Sequence, residues 1–132
     1  MANFGDAANL AAKLIRERRL PPSDAWQRAT EMTFPTSRSL QVKGCPKGAF
    51  LGLCEAGLVR GAPPGHYTRS KKNKRYALNA VRALRRTPSL LQDRRALWLA
   101  ALGEESAKEH NGQMDVVVAL WTTGSIVLAD GV

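Results

Sequence analysis

The chain of 132 residues is 44% hydrophobic and 23% charged, proportions that argue against a disordered or fibrous protein and suit one folded domain over residues 1–132. No apolar run approaches the roughly 20 residues that span a bilayer, and the first residues lack a basic stretch followed by an apolar one, so a cytoplasmic protein is expected. The formal net charge of +9 is unevenly placed: residues 1–68 hold nine cationic and five acidic side chains, 69–86 eight and none, and 87–132 three and six.

Helical periodicity begins at residues 6–19, where Ala8, Ala11, Leu14 and Ile15 share a face and Lys13, Arg16, Glu17 and Arg18 fall mostly outside it. "LPPSD" then interrupts the chain. Pro22 suits the first turn of a second helix that carries Trp26, Ala29 and Met32 inward until the Phe34–Pro35 step ends it. "TSRSLQVKG" reads as a polar connection. A third helix starts close to Cys45 with Pro46 in its first turn and stops at Gly57; a left-handed Gly57 would place Leu58 where a Schellman motif packs an apolar residue against Leu53.

"VRGAPPGHYTR" is expected to be a loop, with Pro64 and Gly65 suited to a type II turn. Ser70 caps a fourth helix that runs to about Arg86. Thr87 and Pro88 open a fifth, whose Leu90, Leu91, Leu97, Trp98 and Leu102 form a broad apolar face before Gly103. A last helical region over residues 104–123 turns Val117, Leu120 and Trp121 inward, and Gly112 weakens its middle enough that two shorter helices are an alternative. "SIVLADGV" is either a short strand or a packed tail. With no strand pair and hairpin turn anywhere, the expected fold is an all-α, compact bundle of five or six helices.

The fourth helix carries the strongest functional signal. At about 100° per residue, Lys74, Arg85, Lys71, Arg82, Arg75, Arg86 and Lys72 occupy a continuous arc of roughly 160°, opposite Tyr76, Ala77, Ala80, Val81 and Leu84. The helix dipole penalises cations in a first turn, so Lys71, Lys72, Lys74 and Arg75 cost stability there unless an anion is near. An incoming phosphate would meet N–H groups at the helix start, the Ser70 hydroxyl and several cationic heads, with Tyr67 placed to stack on a base. The expected anion or nucleic-acid site is therefore Tyr67, Arg69, Ser70, Lys71, Lys72, Lys74, Arg75, Arg82 and Arg86. A solvated basic face, or one neutralised by the acidic residues of the C-terminal third, is the plain alternative.

Gly44, Gly48 and Gly52 recur every four residues, which on a helix makes a shallow strip for close packing. The same segment offers a second candidate anion site at Lys43, Cys45, Lys47 and Gly48, although it lacks the pattern of a P-loop. Cys45 near a helix start, beside Lys43 and Lys47, has the surroundings of a reactive thiol, and the competing reading is a structural one. The cysteines fall on opposite faces of one helix and suit no disulfide within it. Cys45, Cys54, His66 and His110 match no compact zinc spacing, so neither a metal nor a cofactor is expected. His110 and Asp115 do not face each other on a helix, and no hydrolase, kinase or dinucleotide motif is present. A helix-turn-helix fits poorly, because the second and third helices lie some ten residues apart.

"GCPKGAFLGLCEAGLV", "YTRSKKNKRYA" and "HNGQMDVVVALW" resemble a family of small uncharacterised bacterial proteins, from the first helix to about Trp121. The resemblance implies a bacterial or phage-borne single domain and carries no activity; Gly112 departs from the serine expected there. The reading is thus a small basic module for an anionic partner, nucleic acid first. A protein-interaction module, binding an acidic protein or itself, is the alternative, and an enzyme acting on a phosphorylated ligand is a third.

Overall fold

The computed structural model describes residues 2–103 and 112–128, and these form an all-α fold. Six helices have nine residues or more: α1 (Phe4–Arg18), α2 (Pro22–Thr33), α4 (Gly44–Glu55), α5 (Lys71–Arg86), α6 (Arg94–Leu102) and α7 (Gln113–Thr122). Between them lie a single turn, α3 (Arg38–Gln41), and a 3-10 turn (Pro88–Gln92). No helix among the described residues is long and apolar enough to cross a membrane.

Helix α1 starts two residues before the expected position. Asn3 and Asp6 form a reciprocal capping box, each side chain accepting from the other's backbone N–H at 3.0 Å. The small face of Ala7, Ala8, Ala11 and Ala12 is fully buried, and this lets α1 pack against both α2 and α7. In α2 the buried stripe is Pro22, Ala25, Trp26, Ala29 and Thr30, and Trp26 stacks on Phe50 at 5.1 Å. Met32, expected inward, is 59% exposed. It lies roughly 90° from the middle of that stripe, and Phe34 takes the inward place at the helix end.

The C-terminus of α4 has the expected Schellman geometry. Gly57 is left-handed at φ 77°, the Leu58 N–H donates to Leu53 O at 3.0 Å, and the Gly57 N–H donates to Cys54 O at 3.0 Å. Gly65 does not have the positive φ of a type II turn. Its N–H instead donates to Glu55 O at 3.2 Å, so the loop is folded back onto the end of α4. The predicted fifth helix is broken at Asp93, whose carboxylate accepts from Ala96 N at 3.0 Å and caps α6. That cap leaves Leu90 and Leu91 half-buried in the 3-10 turn while Leu97, Trp98 and Leu102 enter the core.

The last predicted helix lies outside the described residues before Gly112. Gly112 is the left-handed entry to α7, with φ 91° and Phe4 Cδ2 2.8 Å from where a Cβ would stand. A serine in that position would be strained and would clash. Val117 and Leu120 are buried as expected, and Trp121 is half-buried against the core. In the described part of the tail, residues 125–128, Ser125 and Ile126 are buried and Val59 and Ile126 form one isolated antiparallel bridge, with Arg60 N donating to Ser125 O at 2.8 Å and Val127 N to Leu58 O at 2.7 Å.

Candidate anion-binding site

Helix α5 packs most extensively against α4, and two glycines explain how closely. A Cβ at Gly48 would stand 2.9 Å from Asn73 Cβ and 3.0 Å from Ser70 Oγ; at Gly52 it would stand 2.6 Å from Lys74 Cβ and 2.7 Å from Lys74 Cα. Gly44 has nothing within 4 Å of that position, so the strip expected from three glycines consists of two. It is filled inside the fold by the first turn of α5 and offers no surface for a dimer contact.

The same close approach brings Lys74 to Glu55. Lys74 Nζ donates to Glu55 Oε2 at 2.7 Å, and the Tyr67 and Thr68 amides donate to Oε1 at 2.7 and 3.1 Å. The lysine bond is the largest influence holding the Glu55 carboxyl down at about 2; partial burial opposes it, and the two amides reinforce it. Glu55 is the anion that the cationic start of α5 requires, and it comes from within the chain. Lys74, expected on the free outer face, is accordingly a half-buried partner in an ion pair. The sequence held a signal for this role, since Glu55 is the single carboxylate between Glu31 and Asp93.

The helix start is also satisfied internally. Ser70 Oγ accepts from Asn73 N at 3.4 Å and from Asn73 Nδ2 at 2.8 Å, while Lys71 N donates to Arg69 O. An anion there would therefore be held by side chains more than by the backbone N–H groups that the sequence suggested. Those side chains converge: Arg69, Ser70, Lys71, Lys74, Arg75 and Arg82 line one surface cavity of about 420 Å³, together with Glu55, His66, Thr68 and Leu78. Among the described residues of this wall, five are cationic and one, Glu55, is a carboxylate, already bound by a lysine and two amides. Arg69, Lys71 and Arg82 are exposed at its edge; Arg82 Nη1 also donates to Asn79 Oδ1 at 3.4 Å, and the Arg75 guanidinium lies over the Tyr76 ring at 5.5 Å. His66, considered in the sequence within the rejected zinc set, belongs to this wall.

The remaining expected residues lie elsewhere. Lys72 is exposed but does not line the cavity, and Arg86 borders a separate depression of about 160 Å³ with Asn79 and Arg82. Tyr67 lines a different cavity, with Ile15, Arg16 and Leu20. The second candidate set is dispersed: Lys43 Nζ sits 5.8 Å from the centre of the Phe4 ring, Gly48 packs on α5, and Lys47 lines a cavity of about 170 Å³ beside Trp26 and Arg38. Cys45 is a half-buried free thiol at the start of α4, and Cys54 is a fully buried one whose pKa burial pushes far up. Asp115, which sequence placed as a possible partner for the basic face, pairs with Arg94. Glu104, Glu105, Glu109 and His110 lie outside the described residues. Among the described residues no group of three or more His, Cys, Asp or Glu side chains comes together to hold a metal.

Fold and cavity together define a small all-α domain with a concave basic cleft at a helix–helix junction. By sequence the chain belongs to a family of unknown function, DUF6979, whose model matches residues 1–127. No curated protein and no solved structure matches it.

Proposed function

We propose that this protein is a small cytoplasmic binding module for an anionic partner, nucleic acid above all, held at the start of α5. The observation that carries the reading is the cavity at which exposed Arg69, Lys71 and Arg82 converge, and in which the one carboxylate among the described lining residues is committed to Lys74 and two backbone amides. Convergent cations in a concave site favour a phosphate over a diffuse acidic surface, because several charge-assisted hydrogen bonds form at once. Exposed Lys72 and Arg86 extend the positive field along the outer face of α5, as a polymer of phosphates would require.

Anisotropy of labelled oligonucleotides across a salt series tests this. Affinity should fall with a log–log slope of about 0.7 to 0.9 for each phosphate engaged. Changing Arg69, Lys71 and Arg82 together to glutamine should weaken binding and lower that slope by about 2 to 3. Lys74 is left out of the variant because its ion pair holds the fold. An interaction that is absent, or as strong in the variant as in the wild type, refutes the proposal.

A further inference from the structure

We infer, resting on the reading just given, that the nucleic acid is single-stranded, with a phosphate in the basic cavity and a neighbouring base against Tyr67. His66 and Tyr67 are consecutive, yet His66 lines the basic cavity and Tyr67 lines a second groove of about 820 Å³. Two adjacent residues of one loop therefore line a basic pocket and a groove with an aromatic wall. A ligand lying across this loop meets both.

The second groove has the chemistry of a base site. Its lining is largely apolar, with Ile15, Leu20 and Pro21 beside the tyrosine, and Arg16 and Arg19 add two cations that suit a flanking phosphate. The Tyr67 ring is held in place before any ligand arrives: its hydroxyl donates to Pro63 O at 2.6 Å, its amide to Glu55 Oε1 at 2.7 Å, and Gly65 leaves room beneath it, since a Cβ there would come within 3.0 Å of the ring. A preset aromatic surface loses little freedom when a base stacks on it. In a duplex the faces of the bases are stacked on each other and closed to an aromatic side chain, whereas an unpaired strand offers both phosphates and base faces, so these two kinds of cavity match an unpaired strand.

Glu55 joins the two halves, since it binds Lys74 on the cavity side and the Tyr67 amide on the loop.

Three probes of equal length separate the outcomes: a labelled oligothymidine strand, the same strand with abasic sites, and a blunt duplex, measured by anisotropy at one salt concentration. The strand should bind at least about fivefold more tightly than its abasic counterpart, the low end for one stacked base. Tyr67→Leu should abolish that difference, and Tyr67→Phe, which keeps the ring, should preserve it. Equal affinity for the strand and its abasic form, a duplex bound more tightly than the strand, or a difference that survives Tyr67→Leu overturns the inference. If wild type binds all three probes alike and the Arg69, Lys71 and Arg82 variant binds none, the charge-based reading stands and only the single-strand inference falls. If wild type binds none of them, both fall.

Discussion

Glu55 accepts one hydrogen bond from Lys74 and two from the amides of Tyr67 and Thr68, so a single carboxylate ties the end of α4 to the loop and to α5. Its pKa is held at about 2, below the ordinary 4.5, chiefly by the lysine. A depressed carboxyl pKa contributes stability that is fully present above the unfolded value and is lost as pH falls through the folded one. Glu55→Gln should therefore cost about 1.5 to 3 kcal/mol near neutral pH, the usual worth of hydrogen bonds to a charged group. In urea unfolding the gap between wild type and variant should narrow as pH drops from about 5 to about 2. A gap that stays constant over that interval would mean that the charge contributes nothing. The same residue explains why a helix beginning Lys71, Lys72, Asn73, Lys74 and Arg75 is tolerated, since its first turn has a bound anion beside it.

At the scale of elements, the α4–α5 junction rests on the absence of two Cβ atoms. Gly52→Ala brings a methyl to 2.6 Å from Lys74 Cβ and 2.7 Å from its Cα, and the latter is backbone that cannot turn aside. The helices must separate, at a cost of about 1 to 3 kcal/mol, which outweighs the propensity gain of at most about 1 kcal/mol from alanine. Gly44→Ala, in the same helix with nothing within 4 Å, should be neutral or stabilising by up to about 1 kcal/mol. Thermal or denaturant midpoints of the two variants check the contrast, and similar losses at both would refute it. Helix ends were the most readable parts of the chain because their signals are local: Ser70 before α5, and Gly57 after α4. The break at Asp93 was missed because a run of leucines on either side looks continuous at helical spacing, while a cap acts through one carboxylate and one amide.

At the scale of the molecule, residues 58–60 and 125–127 meet in a single antiparallel bridge although some 67 positions separate Val59 from Ile126. Ile126 is buried there at 9% exposure, and the backbone bonds of Arg60 and Val127 fasten the end of α7 to the segment leaving α4. Ile126→Ala should lower unfolding stability by about 2 to 4 kcal/mol, as truncation of a buried aliphatic side chain does, and a loss well below 1 kcal/mol would show that the tail is not part of the cooperative core. Among the described residues Asp115 of α7 pairs with Arg94 of α6. The end of α4 serves both features, since Glu55 lines the basic cleft and holds the Tyr67 amide, and residues 58–60 directly after it meet the C-terminal segment.

By itself the sequence determined the helical class, most helix limits, the Schellman turn and the two-faced character of α5, since caps, glycine positions and a 3.6-residue period act over a few neighbours. Tertiary structure alone decided that Lys74 is paired while Arg69, Lys71 and Arg82 are exposed at the edge of a cavity, that His66 joins them, and that Tyr67 faces a different groove. It also decided that Met32 is exposed and that Gly112 must be left-handed against Phe4. Each of those outcomes depends on atoms brought together from distant parts of the chain, where helical periodicity specifies which face turns inward but not what that face will meet.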